Sequence, residues 1–177
     1  MAYKATKLSK LELQARASTD IPLVVKNAAG ASIGVMGANG MGFTRYAEVT
    51  VTAAEVLALF ATPKTLVAAP GAGLVLDFLG ALLILDYGGT AYAGIAAGED
   101  LVVRHTDASG AIVSTTLETT GLLDGTADAL RTLKRIVTDL TPVANSPLVL
   151  HLLTGEVTTG NSPLRIKVAY RVHATGL

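Results

Sequence analysis

Between Leu74 and Leu85 the chain is apolar on both sides of the ribbon. Written as a strand, Leu74, Leu76, Phe78, Leu82 and Ile84 fall on one face, and Val75, Leu79, Ala81, Leu83 and Leu85 on the other. A sheet in a two-layer sandwich normally keeps one wet face, so its strands alternate. This stretch does not alternate, and its second face needs a cover. Leaving large side chains bare there would forgo roughly 1.5–3 kcal/mol each. The cover is the N-terminal arm, the 119–146 segment or another subunit. Exposed patches of this size mark partners. The expectation is therefore a subunit interface at Val75, Leu79, Leu83 and Leu85. The competing reading is a central strand buried within one chain, which larger single domains also contain.

The same stretch ends an apolar run, Leu66–Leu85, whose length suits a membrane span. Yet the run holds Pro70, Gly71, Gly73, Asp77 and Gly80. A carboxylate near mid-span costs about 2.5–3.5 kcal/mol on insertion scales. Two strands around a Pro70–Gly73 turn are expected instead, with no role at a membrane. The start of the chain lacks the apolar core of a signal peptide, so synthesis in the cytoplasm without export is expected.

The rest of the chain reads as short strands and glycine-rich turns. Leu164, Ile166, Val168, Tyr170 and Val172 alternate with Arg165, Lys167, Arg171 and His173, a strand with one buried face. Pro147–Leu153 is its expected partner, and His151 would then face His173. Both strands follow Asn-Ser-Pro, at 145–147 and 161–163. Proline at a strand's first residue disturbs no ladder, so the tripeptide is repeated strand-starting chemistry. Tyr46, Glu48 and Thr50 alternate with Ala47, Val49 and Val51. Thr52 and Glu55 form a capping box for a helix over about 53–60, ended by Pro63. Strands are expected at 65–69 and 74–86, and a hairpin joins 101–105 to 111–117 around Asp107–Gly110. Leu130, Leu133, Ile136 and Val137 have helical spacing and suggest one further short helix. Upstream, 21–26 reads as a strand, 27–30 as a turn and 34–42 as loop. The expected fold is all-β: a jelly-roll-like antiparallel β-sandwich over 46–177 with one or two short helices. An N-terminal arm and a glycine-rich loop region occupy 1–45.

Chemistry is hard to find in this sequence. Cysteine is absent, which removes disulfides and thiol catalysis. Neither a phosphate-binding P-loop nor a G-x-S-x-G elbow is present, and Gly37–Gly42 has the wrong glycine order for a dinucleotide fingerprint. His105, His151 and His173 lack zinc-motif spacing. Asp77 and Asp86 sit nine residues apart on one strand, roughly 30 Å, too far to cooperate. Asp77 reads as hydrogen-bonded near a bend. No catalytic residue, metal or cofactor is expected, and the chain is read as a non-enzyme.

Charge is zero overall but unevenly spread. Residues 1–45 carry six basic side chains against Glu12 and Asp20, a net of +4, so the remainder carries −4. Lys4, Lys7 and Lys10 recur every three residues and, with Tyr3 and Arg16, suit docking on an acidic protein surface. One aromatic is too few for stacking on bases, so no direct nucleic-acid role is expected.

Tyr87–Tyr92 after an apolar strand resembles a stretch found in small structural proteins of tailed bacteriophages. So do Thr120–Asp128 and the closing stretch Thr158–Val172. The likeness covers about residues 46–173 and is similar to that of head decoration (cement) proteins. It implies a jelly-roll-like fold, a homo-oligomer expected to be a trimer, and the major capsid protein as partner. It also implies a place on the outer head surface of the virion, clamping capsid subunits against internal pressure. The other reading is a tail- or fibre-associated receptor- or glycan-binding module, for which Tyr46, Tyr87 and Tyr92 are the aromatics near turns. A hydrolase on a sandwich scaffold comes last, for want of a convergent acid–base set.

Overall fold

The computed structural model describes residues 23–26, 32–36, 44–136 and 141–175. The chain divides into two compact units, 1–38 and 39–177. In the first, β1 (Leu23–Lys26) pairs antiparallel with β2 (Ser32–Met36), with a bulge between Val25 and Lys26. Residues 34–36 thus lie in a strand, where the glycines suggested loop.

The described residues of the second unit form eight strands in two four-stranded antiparallel sheets, an all-β sandwich. They are β3 (Arg45–Val51), β4 (Lys64–Val67), β5 (Leu74–Leu85), β6 (Asp100–His105), β7 (Leu117–Glu118), β8 (Ala129–Lys134), β9 (Leu148–Leu152) and β10 (Leu164–Ala174). One sheet runs β3-β10-β5-β8 and the other β4-β9-β6-β7. Chain order therefore alternates between the layers at each end, as a double Greek key requires, and this is the jelly-roll order. That wrapping overturns the expected pairing of 147–153 with the closing strand. β10 lies between β3 and β5, while β9 lies between β4 and β6 in the other layer. His151 and His173 consequently belong to different sheets.

The repeated Asn-Ser-Pro does start both strands, and each asparagine fastens a different loop. Asn145 Oδ1 accepts from Gly71 N–H at 3.0 Å, holding the β4–β5 turn. Asn161 Oδ1 accepts from Thr90 N–H at 2.9 Å and its Nδ2 donates to the Gly88 carbonyl at 2.8 Å. The apolar run 66–85 forms the end of β4, the Pro70–Gly73 turn and β5. Among the described residues no helix is long and apolar enough to cross a membrane.

Among the described residues one helix forms, α1 (Ala53–Val56), shorter than expected. Its capping box is present: Thr52 Oγ1 accepts from Glu55 N–H at 3.3 Å, and Glu55 Oε2 accepts from Thr52 N–H at 2.8 Å. After the helix the chain tightens into turns, with Ala58 N–H donating to the Glu55 carbonyl and Leu59 N–H to the Val56 carbonyl, before a side chain takes the following amides. The Glu156 carboxylate takes the N–H groups of Phe60 and Ala61 at 3.1 and 2.9 Å.

The second expected helix is the strand β8. Its leucines follow a period of two against β5: Leu133 is buried, while Leu130 is 55% exposed. The helical spacing was coincidental, and Val137 lies outside the described residues. The 101–105 hairpin forms with a thin ladder. His105 N–H donates to Ala111 and Val113 N–H to Val103, after which the chain leaves and returns as β7. Gly110 is obligatory in its turn, since a Cβ there would meet the His105 carbonyl at 1.6 Å. The core between the sheets is formed by Leu76, Phe78, Leu83, Leu85, Leu101, Val103, Leu150, Leu164, Ile166 and their neighbours.

Candidate interaction surface and cleft

A β-bulge in β5 decides which apolar side chains reach the surface. Along β10 the register runs Lys167 to Leu82, Val168 to Ala81 and Ala169 to Gly80, then jumps so that Tyr170 meets Phe78. Leu79 is the extra residue, and the parity of β5 reverses across it. Leu76 and Phe78 point inward on one side of the bulge; Ala81, Leu83 and Leu85 do so on the other.

The expected interface set is thereby divided. Leu83 and Leu85 are 0% exposed and belong to the core. Val75 and Leu79 are partly exposed. The outward side chains that take their place are Leu82 and Ile84, both partly exposed. The missed signal was Gly80, since a glycine inside a long strand marks a bulge. Of the expected arm contacts, Tyr3, Lys4, Lys7, Lys10 and Arg16 lie outside the described residues, as does the Gly37–Gly42 loop.

The outer face of the β3-β10-β5-β8 sheet can be read row by row from its register. Thr50, Arg165, Ile84 and Leu130 form one row; Glu48, Lys167, Leu82 and Thr132 form the next; Tyr46, Ala169, Gly80 and Lys134 form the third. Apolar groups thus cross the face from Tyr46, 78% exposed, to Leu130. Charge flanks them. Lys167 Nζ lies 3.5 Å from Glu48 Oε2. Arg165 grips Asp86 with two bonds, Nε to Oδ2 at 2.6 Å and Nη2 to Oδ1 at 2.8 Å. The guanidinium holds the Asp86 carboxyl below the usual aspartate range.

A cleft opens where β8 leaves this sheet. β8 pairs with β5 only over Gly80–Leu85. Beyond Lys134 the chain crosses to the other layer, where Arg135 bridges Ser114 and Ile136 N–H donates to the Val113 carbonyl at 3.2 Å. The cleft beside the uncovered half of β5 has a volume of about 330 Å3. Val75, Leu76, Phe78, Val113 and Pro142 are the apolar residues around it, and Asp77, His105, Arg135, Thr141 and His173 the polar ones. Asp77 Oδ1 lies 3.2 Å from Arg135 Nη2, and its Oδ2 lies 3.5 Å from His173 Nε2. Asp77 is thus ion-paired two residues before the bulge, away from Asp86. His105 is 5% exposed, and its Nδ1 is buried without a hydrogen-bond partner. Desolvation lowers the His105 pKa, which favours the neutral ring.

His151 lies elsewhere, beneath the outer side of the other sheet. Among the described residues no three metal-ligating side chains converge. The three tyrosines do not gather either. Tyr46 stands on edge strand β3, and Tyr87 is half-buried beside Asp128, whose Oδ1 accepts its N–H at 2.8 Å. Tyr92 is buried, donates its hydroxyl to the Ser162 carbonyl at 2.6 Å, and has its pKa pushed up to about 12 by desolvation.

No family model matches the chain, and no curated protein does. Among solved structures it is similar to a chain of the cyanophage Pam1 capsid asymmetric unit, with 18% identity and a TM-score of 0.43. That overlap covers 82% of this chain and 96% of the other. A chain of the Ralstonia phage GP4 capsid gives 11% identity and a TM-score of 0.42, covering 74% and 85%. With overlaps of this quality, the fold is read from the strand order itself.

Proposed function

We propose that the chain is a non-enzymatic structural protein of a tailed-phage virion. Its place is the outer head surface, as a homotrimeric decoration protein bridging subunits of the major capsid protein. The observation that carries this reading is the open sheet face, where Tyr46, Leu82, Ile84 and Leu130 lie among paired charges. Large apolar groups presented together on one flat face suit a surface that a neighbour covers. The jelly-roll order and the likeness of residues 46–173 to decoration proteins support the same reading. Neighbouring copies cover the apolar diagonal, and the basic arm of residues 1–45 docks on the capsid. Each exposed ion pair contributes about 0–1 kcal/mol, so tight attachment comes from several arms acting together.

Native mass spectrometry of the full chain tests the self-association, and co-sedimentation with undecorated heads tests the attachment. A trimer that Leu82→Glu with Ile84→Glu converts to a folded monomer is the expected result. Removal of residues 1–20 is expected to abolish sedimentation with heads while the trimer persists. A wild-type monomer, or full head occupancy without the arm, would overturn the corresponding half of the proposal.

A further inference from the structure

We propose that Tyr46 of one copy inserts into a hollow between α1 and β4 of the next copy. The inference rests on the self-association proposed above and names the contact that carries it around the ring. In a trimer with threefold symmetry each subunit presents one surface and receives with another. The open sheet face therefore does not meet its own image, and the surface that receives it lies elsewhere on the molecule.

Tyr46 is the part of that face most in need of a cover. It is 78% exposed, the most exposed large apolar side chain among the described residues. It stands near the start of β3, an edge strand. The receiving hollow has a volume of about 240 Å3 and lies where α1 and the turn after it meet the start of β4. Ala54, Ala58 and Pro63 are its apolar residues, and Glu55, Thr62 and Lys64 its polar ones. None of the six is buried, so an incoming ring can touch them. The volume falls below the range of small-molecule sites and suits one aromatic side chain. Lys64 Nζ donates to Glu55 and has further N–H groups for a ring hydroxyl to accept. Tyrosine fits both needs, an apolar body with a polar tip.

Distance and charge both make the occupant a second copy. From Tyr46 to Val51 the strand spans about 17 Å, and α1 begins only beyond it, so Tyr46 cannot turn back into its own hollow. The strands β3, β10, β5 and β8 carry six basic side chains against Glu48 and Asp77, a net of +4. The other described residues of 44–136 and 141–175 carry three basic side chains against nine acidic ones, a net of −6. Face-to-face packing would set like charge on like charge. Front-to-back packing sets the basic sheet against the acidic remainder, where the hollow lies with Glu156 holding the adjoining Phe60 and Ala61 amides.

Sedimentation velocity on the full chain tests the contact at up to roughly 100 µM, with circular dichroism to check that each variant folds. Tyr46→Ala removes the inserted ring and is expected to weaken association at least tenfold. Tyr46→Phe keeps the ring and is expected to weaken it only about threefold. Ala54→Trp and Thr62→Trp fill the hollow from its mouth and are each expected to weaken association at least tenfold. Both positions are exposed, so their replacement spares the fold. A one-to-one mixture of Tyr46→Ala and Ala54→Trp holds one intact ring and one intact hollow per pair. It should form a heterodimer and nothing larger, since neither open end can be continued. A wild-type monomer would sink the self-association itself and this contact with it. A wild-type oligomer that tolerates Tyr46→Ala, or both tryptophan variants, would overturn this contact alone. So would a mixture without heterodimer. Loss of association on removing residues 1–20, with Tyr46→Ala harmless, would give the hollow to the arm instead.

Discussion

β5 and β9 both carry apolar side chains on two faces, though β9 adds His151 to its outer one, and those outer faces are covered in opposite ways. Every residue of β9 is buried. Leu148, Leu150 and Leu152 face the core, while Val149 and His151 face outward beneath the chain's own cover. Phe60 stacks on His151 with ring centroids 5.9 Å apart, and Arg104 Nε donates to His151 Nδ1 at 3.2 Å. The outward side of β5 has no such lid. Leu82 and Ile84 stay partly exposed between Arg165, Lys167, Thr132 and Leu130. An apolar second face therefore does not by itself imply a foreign partner. What matters is whether a connection crosses it: the turn after α1 crosses β9, and no described segment does the same for Leu82 and Ile84.

The largest expected effect separates neighbours on β5. Leu83→Ala opens a cavity in the core and should cost about 2–5 kcal/mol in urea denaturation. Leu82→Ala, measured on dilute monomer, should cost less than Leu83→Ala, because its side chain is partly exposed on the outer face and leaves no closed cavity. Equal costs would mean that the bulge at Leu79 does not reverse the strand, and the open face would have to be redrawn.

This pair also marks how far the sequence could be read. The sandwich, the closing strand, the capping box and the strand-starting Asn-Ser-Pro were legible because each is set within a few residues. Strand pairing was not, because consecutive strands of a jelly roll cross between layers and local pattern carries no record of that. β8 carries helical spacing because Leu130 is a surface leucine that completes a false period. The interface set failed at Leu83 and Leu85 because one extra residue inverts every side chain beyond it. The cleft was invisible for a related reason: Asp77, His105, Arg135 and His173 come from four separated segments and meet only where β8 changes layers.

A middle-sized effect tests the lid over β9. Arg104 donates to Nδ1 of His151, so the proton of the neutral ring sits on Nε2, which donates to the Phe60 carbonyl at 3.1 Å. Desolvation lowers the pKa from its ordinary 6.5; Arg104 adds to this, while the Phe60 bond and the Glu156 charge oppose it. The folded protein thus holds fewer protons than the unfolded chain just below that value. Stability should be full above 6.5 and should fall as pH drops toward the folded-state pKa, with His105 contributing in the same direction. Denaturation at about pH 7.5 and 5.5 should show this slope. His151→Gln should cost about 1–3 kcal/mol at neutral pH and flatten it. An unchanged slope in the variant would show that the ring does not titrate on unfolding.

The smallest effect concerns how the lid is launched. The Thr52–Glu55 capping box fixes where α1 begins, and the turn that follows carries Phe60 over His151. Glu55 also pairs with Lys64 at the start of β4, and these contacts pull its pKa down to about 2, with the Lys64 bond first and the Thr52 amide next. The turn is anchored at its far side by Glu156, so loss of the cap should loosen the lid without removing it. Thr52→Ala should cost about 1 kcal/mol, and amide exchange should speed up at Glu55 and Val56 before it does at Phe60 and Ala61. If exchange at Phe60 and Ala61 rises as much, the cap and the Glu156 anchor act as one unit. The cover over β9 would then be a single cooperative piece, which the outward face of β5 has no counterpart to match.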